Sequence, residues 1–413
     1  FCHNRSETRF LPAGLQSLKP VLIQPGEPGL FYSAEHYGAD YFWILTNHKA
    51  PHGKLVQAKI ANPGLPFWIP AVIYPDSTIL KAFTVINMKF LLLLEQKSFR
   101  ASVRIVDLTA INDPSKGNKI NFNDPEGELV FDGYEAESGK ALIRYSSLLT
   151  PATLYTYDLE ANKLGIRWQV NIHGYAKENY GARTLMIKSK DGFSIPVTII
   201  FNKDFEMRDG SSPLLLVSGD LPEFTRHSQF NASWLSLLDR GFYIAVIHLP
   251  DDSETGDTLI NNSGSAEKKN TNREFTDCIN FLVSEKYTSL GKIAAIGIFS
   301  GGMALLDAVN NYPGLIKGVV LDQSLTTPLP ASIAEKRAYP PLFLYAGKQD
   351  SGRYALAMIK MTALLRKNKT DKNILLFTAG NAVSNKGDYA CGERELPEAE
   401  QAAFILSCLG IKK

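Results

Sequence analysis

The sequence predicts a two-part protein, in which an all-β segment precedes an α/β domain whose mostly parallel sheet is covered by helices. Two observations predict this division. Up to about residue 184, short aromatic and β-branched runs alternate with turn-forming residues. From residue 185 onward, apolar strand-like runs alternate with longer segments of helical periodicity. The chain has 413 residues, which is long enough for two domains.

The all-β segment is predicted to span residues 28–184. Runs such as YFWILTN, FWIPAVIY and KFLLLLEQ are separated by turns such as APHG, DPSKGN and NDPEGE. This pattern is typical of meandering blades and predicts a partial β-propeller of about three to four blades, with a β-sandwich as the alternative. Residues 1–27 are predicted to be an N-terminal extension or linker. An incomplete propeller exposes strand edges, so we expect protein partners to cover these edges and the following domain.

The α/β domain is predicted to span residues 185–413. Its strands are SIPVTIIF, SPLLLVSG, FYIAVIHL, KIAAIGI, IKGVVLDQ, PPLFLYAG and NILLFTA. Its main helices are TNREFTDCINFLVSEKY, GGMALLDAVNN, ALAMIKMTALLRKN and PEAEQAAFILSCLG. The last helix is amphipathic, and its periodicity predicts that Ala403, Ile405, Leu406 and Leu409 face the core.

Composition excludes several classes of function. The formal net charge is +2 and basic residues are interspersed with acidic ones, so we expect no nucleic-acid footprint. The apolar runs are shorter than the roughly 18 residues of a transmembrane helix, so no such segment is expected. The four cysteines lack C-x-x-C spacing, which indicates free thiols. We therefore expect no metal, no cofactor and an intracellular location, mitochondrial or cytoplasmic, with mitochondria favoured. The first residue is Phe, which leaves room for a leader or a longer N-terminal region.

The stretch GIFSGG, residues 297–302, lies between a predicted strand and a predicted helix. In that setting an α/β-hydrolase carries its nucleophile within the pattern G-x-S-x-G. Gly297 and Gly301 place Phe299 at the central position, and a phenyl ring has no nucleophilic atom. The other register takes Ser300 as the nucleophile, but it places Ile298 where the tight turn needs a small residue.

From about residue 28 to its end, the chain resembles the prolyl oligopeptidase family of serine peptidases, and oligopeptidase B most closely. The resemblance implies that a propeller caps an α/β-hydrolase domain in which Ser, Asp and His, in that order, hydrolyse short peptides. The family's N-terminal segment and the first part of its propeller have no counterpart here, which implies a truncated, degenerate member. The matching stretches include FYSAEHYGADYFWILTN, YSSLLTPATLYTYDL, DGFSIPVTIIF, LSLLDRGFYIAVIHL, KKNTNREFTDCINFLVSEKYTS, GIFSGG and YPPLFLYAGKQDS.

The resemblance places the family's nucleophile position at Phe299, its acid at Asp350 and its base position at Ser384. Serine cannot accept a proton near neutral pH as imidazole does. The last of the seven histidines is His248, whereas the hydrolase order places the catalytic histidine after the nucleophile. The predicted triad therefore lacks both its nucleophile and its base.

The resemblance also implies changes at two positions outside the triad, the oxyanion donor and the segment that recognises the substrate. Gly219 stands at or next to the position of the family's tyrosine, which donates to the oxyanion. The segment before PPLFLYAG is shorter than in the family, and in place of its acidic recognition residues it offers only Glu335.

Two functional hypotheses follow. The first is a catalytically inactive peptidase homologue, a pseudoenzyme that is not an enzyme and serves as a structural or interaction subunit of a larger assembly. The alternative is an active serine oligopeptidase or hydrolase with a relocated site that uses Ser300 and His248. By the family's topology, these two residues lie at the ends of neighbouring strands.

Overall fold

The computed structural model describes residues 7–411, apart from 12–18, 75–76, 110–112, 114–115, 126, 191, 193, 220–228, 249–270, 299, 313, 323–332, 334, 348–352 and 381–394. The described residues form two compact units. The first reaches Asn171, and the second begins at Ile172.

The first unit begins with a pair of antiparallel strands, β1 (Thr8–Phe10) and β2 (Val21–Gln24). Three four-stranded antiparallel sheets follow, and each is a meander in chain order. The first blade comprises β3 (Tyr32–Tyr37), β4 (Tyr41–Thr46), β5 (Lys54–Lys59) and β6 (Ile69–Val72). The second comprises β7 (Ile79–Ile86), β8 (Phe90–Lys97), β9 (Arg100–Asp107) and β10 (Asn118–Asn121). The third comprises β11 (Glu128–Glu135), β12 (Lys140–Ser146), β13 (Thr153–Asp158) and β14 (Lys163–Gln169).

Neighbouring blades pack face to face, and the side chains of β4 contribute to the cores on both faces of the first blade. Side chains alternate between the two faces of a strand. Trp43 and Leu45 of β4 enter a core shared with the second blade, whereas Phe42 and Ile44 enter a separate core with Ile23 of β2. Segment 1–27, predicted as an extension or linker, thus includes a strand pair that packs on the first blade.

The second unit is built on an eight-stranded sheet in the order β15-β16-β18-β17-β19-β20-β21-β22. Strands β15, β16 and β18 pair antiparallel, and the remaining pairs are parallel. The strands are β15 (Tyr180–Lys188), β16 (Ser194–Asn202), β17 (Leu214–Ser218), β18 (Tyr243–Ile247), β19 (Ile293–Ile298), β20 (Gly318–Asp322), β21 (Leu342–Gly347) and β22 (Leu375–Gly380). The predicted domain boundary at residue 184 lies inside β15.

Five described α-helices accompany this sheet: α1 (Leu235–Leu238), α2 (Thr271–Ser284), α3 (Ser300–Asn311), α4 (Arg353–Asn368) and α5 (Glu395–Cys408). Helices α2, α3 and α4 contribute to the core on one face. The predicted fold class, an α/β-hydrolase domain preceded by a partial propeller, is confirmed. None of the described helices is long and apolar enough to cross a membrane.

The core face predicted for α5 is partly wrong. Ile405 is buried as expected, but Ala403 is exposed, and Phe404 is buried in its place. The Phe404 ring lies 5.7 Å from the ring of Phe343 on β21, and Gln401 donates to Asp322 at 3.1 Å. These two contacts fix the rotation of the helix about its axis and turn Ala403 outward.

Candidate functional site

The predicted nucleophile turn lies at the carboxyl edge of the parallel sheet. Strand β19 ends at Ile298 and α3 begins at Ser300. Strand β17, which ends at Ser218, pairs with β19 on one side and β18 on the other. In open α/β sheets, ligands bind outside the carboxyl ends of the strands. The turn therefore lies near the middle of the sheet edge where a ligand is expected.

Glycines allow three backbone segments to meet at this turn. A Cβ added at Gly297 would lie 2.4 Å from the Cα of Gly302, and one added at Gly301 would lie 2.4 Å from the Cα of Gly219. A Cβ at Gly219, whose φ is +140°, would lie 1.9 Å from the carbonyl oxygen of Ile298. Real Cβ atoms essentially never approach another heavy atom within 3.0 Å. Only glycines can therefore bring the end of β17 against the strand-to-helix turn.

Two polar residues at this edge were missed by sequence reasoning. Ser218 ends β17, and its buried Oγ has no hydrogen-bond partner in the described part of the chain. Asp322 ends β20 as the register partner of Ile298, and its Oδ2 accepts a hydrogen bond from Gln401. In the sequence, each of these residues is the polar residue at the end of an apolar run, LLLVS for Ser218 and GVVLD for Asp322.

Most of the predicted triad falls outside what the structure describes. Phe299, Asp350 and Ser384 all lie outside the described residues, so their predicted roles stay predictions. Ser300 is the first residue of α3, and its side chain also lies outside the described part.

His248 follows β18 and hydrogen-bonds toward β16. Its Nε2 lies 3.1 Å from Oγ1 of Thr198, which lies 3.0 Å from Oγ1 of Thr184 on β15. Desolvation by burial lowers the pKa of His248 to about 4, so its imidazole is neutral near pH 7. Strand β16 lies on the far side of β18 from β17 and β19. Strand β17 lies between β18, which leads to His248, and β19, which leads to Ser300, and the predicted pairing of these two residues stays a prediction.

Glu335, the candidate for recognising basic side chains, forms an ion pair with Nη2 of Arg337. The same guanidinium donates from Nη1 to the carbonyl oxygen of Asn310 at 3.4 Å. The carboxylate of Glu335 is therefore already paired with the guanidinium of Arg337 in the same chain. Among the described residues, no group of three or more His, Cys, Asp or Glu residues could hold a metal ion.

Two family models match the sequence. The prolyl oligopeptidase N-terminal beta-propeller domain matches residues 2–169, and the prolyl oligopeptidase family matches residues 227–329.

Among curated proteins, dipeptidyl aminopeptidase BI of Pseudoxanthomonas mexicana is 26% identical over 445 residues, covering 98% of this chain and 60% of that protein. Protease 2 of Moraxella lacunata is 23% identical over 433 residues, covering 96% of this chain and 61% of its own length. The chain thus spans about three fifths of the length of these two curated relatives.

Solved structures share the fold. Oligopeptidase B from Trypanosoma brucei superposes with a TM-score of 0.85 at 21% identity, covering 100% of this chain and 64% of that one. Oligopeptidase B from Leishmania major superposes with a TM-score of 0.82 at 20% identity, covering 99% and 63%. At these identities the likeness shows the fold alone.

The comparisons overturn one prediction made from the sequence. The chain was expected not to be an enzyme, because Phe299 and Ser384 occupy the positions of the nucleophile and the base. That prediction is wrong, since the similar proteins are named peptidases: a dipeptidyl aminopeptidase, a protease and two oligopeptidases B. The similarity points to a family of enzymes.

Proposed function

Because this chain belongs to the prolyl oligopeptidase family, we propose that it recognises short peptides at the carboxyl edge of its eight-stranded sheet. The observation that carries this proposal is the glycine-packed turn between β19 and α3. Gly297 and Gly301, the small residues of the pattern typical of a hydrolase nucleophile turn, lie in close contact with Gly302 and Gly219. The start of α3 lies at the edge where ligands of open α/β sheets bind.

The start of α3 supplies suitable donors for a peptide. The first amide groups of a helix have no partner within the helix, and they favour a carbonyl or carboxylate oxygen. Helix α3 runs from Ser300 to Asn311, so its first turn contains Gly301 and Gly302. We propose that a carbonyl oxygen or the terminal carboxylate of the peptide accepts hydrogen bonds there.

Peptide hydrolysis would require a nucleophile as well as this recognition. Phe299 has no nucleophilic atom, and Ser300 carries the one hydroxyl in GIFSGG. His248 follows β18 with its Nε2 3.1 Å from Oγ1 of Thr198, and β17 lies between β18 and β19, the strand that leads to Ser300. The geometry thus supports peptide recognition more directly than it supports a Ser300–His248 pair.

The test is calorimetric titration of the full chain with a panel of short peptides, followed by mass spectrometry for cleavage products. We expect saturable binding of short peptides. Where cleavage occurs, Ser300→Ala should abolish it while binding persists, and the matched variant His248→Ala should leave the cleavage rate unchanged. Absence of saturable binding across the panel would contradict the proposal.

A structural or interaction role in a larger assembly is the second candidate function. It is favoured by an exposed apolar face on the third blade, where Trp168 is 56% exposed and Val130 is 38% exposed. Exposed apolar surface of this kind commonly marks a site of association.

A further inference from the structure

A cavity of about 350 Å³ lies between the second and third blades of the first unit. Three of the side chains that line it are apolar and belong to the buried core that these blades share: Phe90, Ile105 and Leu159. Both blades also contribute polar lining residues, which lie nearer the surface: Asp107, Lys116, Asn118, Glu160 and Asn162. Pockets for small molecules start at about 300 Å³ and combine an apolar lining with a few polar groups.

An ion pair joins the two blades beside this cavity and leaves an excess of negative charge. Nζ of Lys89 lies 2.7 Å from Oε1 of Glu160 and 3.7 Å from Oδ2 of Asp107. Two carboxylates thus share one ammonium group. Oε2 of Glu160 has no hydrogen-bond partner in the part of the chain that the structure describes. A cationic group in the cavity would therefore find a free acceptor and a favourable charge.

A pair of amide side chains offers one further acceptor and one donor. Nδ2 of Asn118 donates to Oδ1 of Asn162 at 3.3 Å, and the hydroxyl of Tyr157 donates to the same oxygen at 2.9 Å. Among the described residues, these bonds leave Oδ1 of Asn118 and Nδ2 of Asn162 without a partner. Asn162 has a φ of +53°, a left-handed conformation that asparagine and aspartate adopt more readily than most residues.

Lys116 supplies a positive charge to the same cavity. Its Nζ lies 3.5 Å from Asp113, but the two side chains are 76% and 47% exposed, and exposed ion pairs of this kind are weak. The next residue, Gly117, packs directly on β9, because a Cβ there would lie 2.4 Å from the carbonyl oxygen of Ile105. The ammonium group of Lys116 is therefore held at the cavity and is available to an anion.

The cavity thus offers acceptors for a cation, donors for an anion and an apolar surface. The acceptors are Oε2 of Glu160 and Oδ1 of Asn118, and the donors are Nζ of Lys116 and Nδ2 of Asn162. We propose that this cavity binds a free α-amino acid with an apolar side chain of about the size of leucine. A free amino acid carries its ammonium and carboxylate groups on one carbon, whereas a peptide separates them. This site is independent of the proposed peptide recognition, which concerns the second unit.

Calorimetric titration of the full chain with L-leucine tests the proposal. We expect a dissociation constant between roughly 10 µM and 1 mM, which suits a ligand with so few atoms. L-Leucinamide lacks the carboxylate and N-acetyl-L-leucine lacks the ammonium group. Each should bind at least about tenfold more weakly, because each loses charge-assisted hydrogen bonds. Glucose, a neutral ligand rich in hydroxyl groups, should not bind.

The variant Asn162→Asp locates the binding site. It keeps the oxygen that accepts from Tyr157 and replaces the free donor by a negative oxygen that repels the ligand's carboxylate. We expect L-leucine to bind it at least about tenfold more weakly. The matched control is Asn87→Asp, which adds the same charge outside the cavity lining. Asn87 also has a positive φ, of 50°, and also bonds to a tyrosine hydroxyl, that of Tyr134. This control should leave the dissociation constant unchanged.

A second variant, Glu160→Gln, removes the charge that faces the ligand's ammonium group. It should weaken binding of L-leucine but have little effect on N-acetyl-L-leucine. The side chain of Glu160 is 73% exposed, so we expect this variant to fold like the wild type, as thermal melting followed by circular dichroism will show. The proposal is overturned if L-leucine shows no saturable binding or binds less tightly than glucose. It is also overturned if L-leucine binds Asn162→Asp and Asn87→Asp equally well.

Discussion

Replacing Glu95 by glutamine is expected to lower the free energy of unfolding by about 3 kcal/mol, because it leaves two partly buried cations without their counter-charge. The side chain of Glu95 is fully buried in the second blade. Its Oε1 accepts from Arg104 Nε at 2.6 Å, and its Oε2 lies 2.9 Å from Lys119 Nζ. The Tyr74 hydroxyl donates to the same carboxylate. The carboxylate of Glu95 thus connects β8, β9 and β10 with Tyr74, which precedes the first strand of the blade.

The control is the same substitution at Glu160. That carboxylate also pairs with a lysine, Lys89 at 2.7 Å, but its side chain is 73% exposed. Exposed ion pairs contribute little to stability, so Glu160→Gln should barely shift the midpoint of urea unfolding. Equal shifts for the two variants would show that the Glu95 network is not the stabilising feature.

The Glu95 network should also affect how the free energy of unfolding depends on pH. Burial alone would raise the pKa of Glu95, but hydrogen bonds from Arg104, Tyr74 and Lys119 outweigh burial and hold the pKa below its ordinary value. A carboxyl whose pKa is lowered on folding stabilises the protein above its unfolded pKa of about 4.3, and this contribution disappears as pH falls through the folded pKa. The stability of Glu95→Gln should therefore decline less steeply than that of the wild type below about pH 4.

Replacing Gly301 by alanine is expected to destabilise the second unit by about 3 kcal/mol, because the new methyl group meets backbone that cannot rotate away. The added Cβ would lie 2.4 Å from both the Cα of Gly219 and the carbonyl oxygen of Ser218. To relieve the clash, the end of β17 must separate from the start of α3. We also expect weaker peptide binding, because this turn is the proposed recognition site.

Thermal melting and peptide titration of Gly301→Ala measure the two effects. Gly64→Ala is the control, since a Cβ at Gly64 has its nearest neighbour at 3.6 Å, an ordinary contact. We expect this control to melt and bind like the wild type. Retention of full stability and binding by Gly301→Ala would contradict the role assigned to the turn.

Local patterns in the sequence were sufficient to predict most of the fold. Short aromatic and β-branched runs separated by turn-forming residues predicted the blade strands, and the change to strand–helix alternation predicted the parallel sheet. The two strands within residues 1–27 were missed, because TRF and VLIQ are short and depend on the first blade for a partner. The rotation of α5 was also missed, since it depends on Phe343, a contact distant in sequence.

The candidate site was predictable only in part. The glycines of GIFSGG indicated a tight turn, but its contact with Gly219 joins segments about 80 residues apart and leaves no local pattern. Ser218 and Asp322 reach the same sheet edge through strand order, which a single sequence does not display. His248 was paired with Ser300 from the family's topology, and that pairing stays a prediction. Its bond to Thr198 depends on the antiparallel pairing of β16 with β18.

The most direct test of the account is photo-cross-linking of a bound short peptide, with the attachment site mapped by mass spectrometry. If the peptide binds at the carboxyl edge of the sheet, cross-links should fall within residues 293–311, which include the turn, and within 214–219. An excess of unlabelled peptide should suppress them. Cross-links confined to the three blades, or unaffected by competing peptide, would contradict recognition at this site.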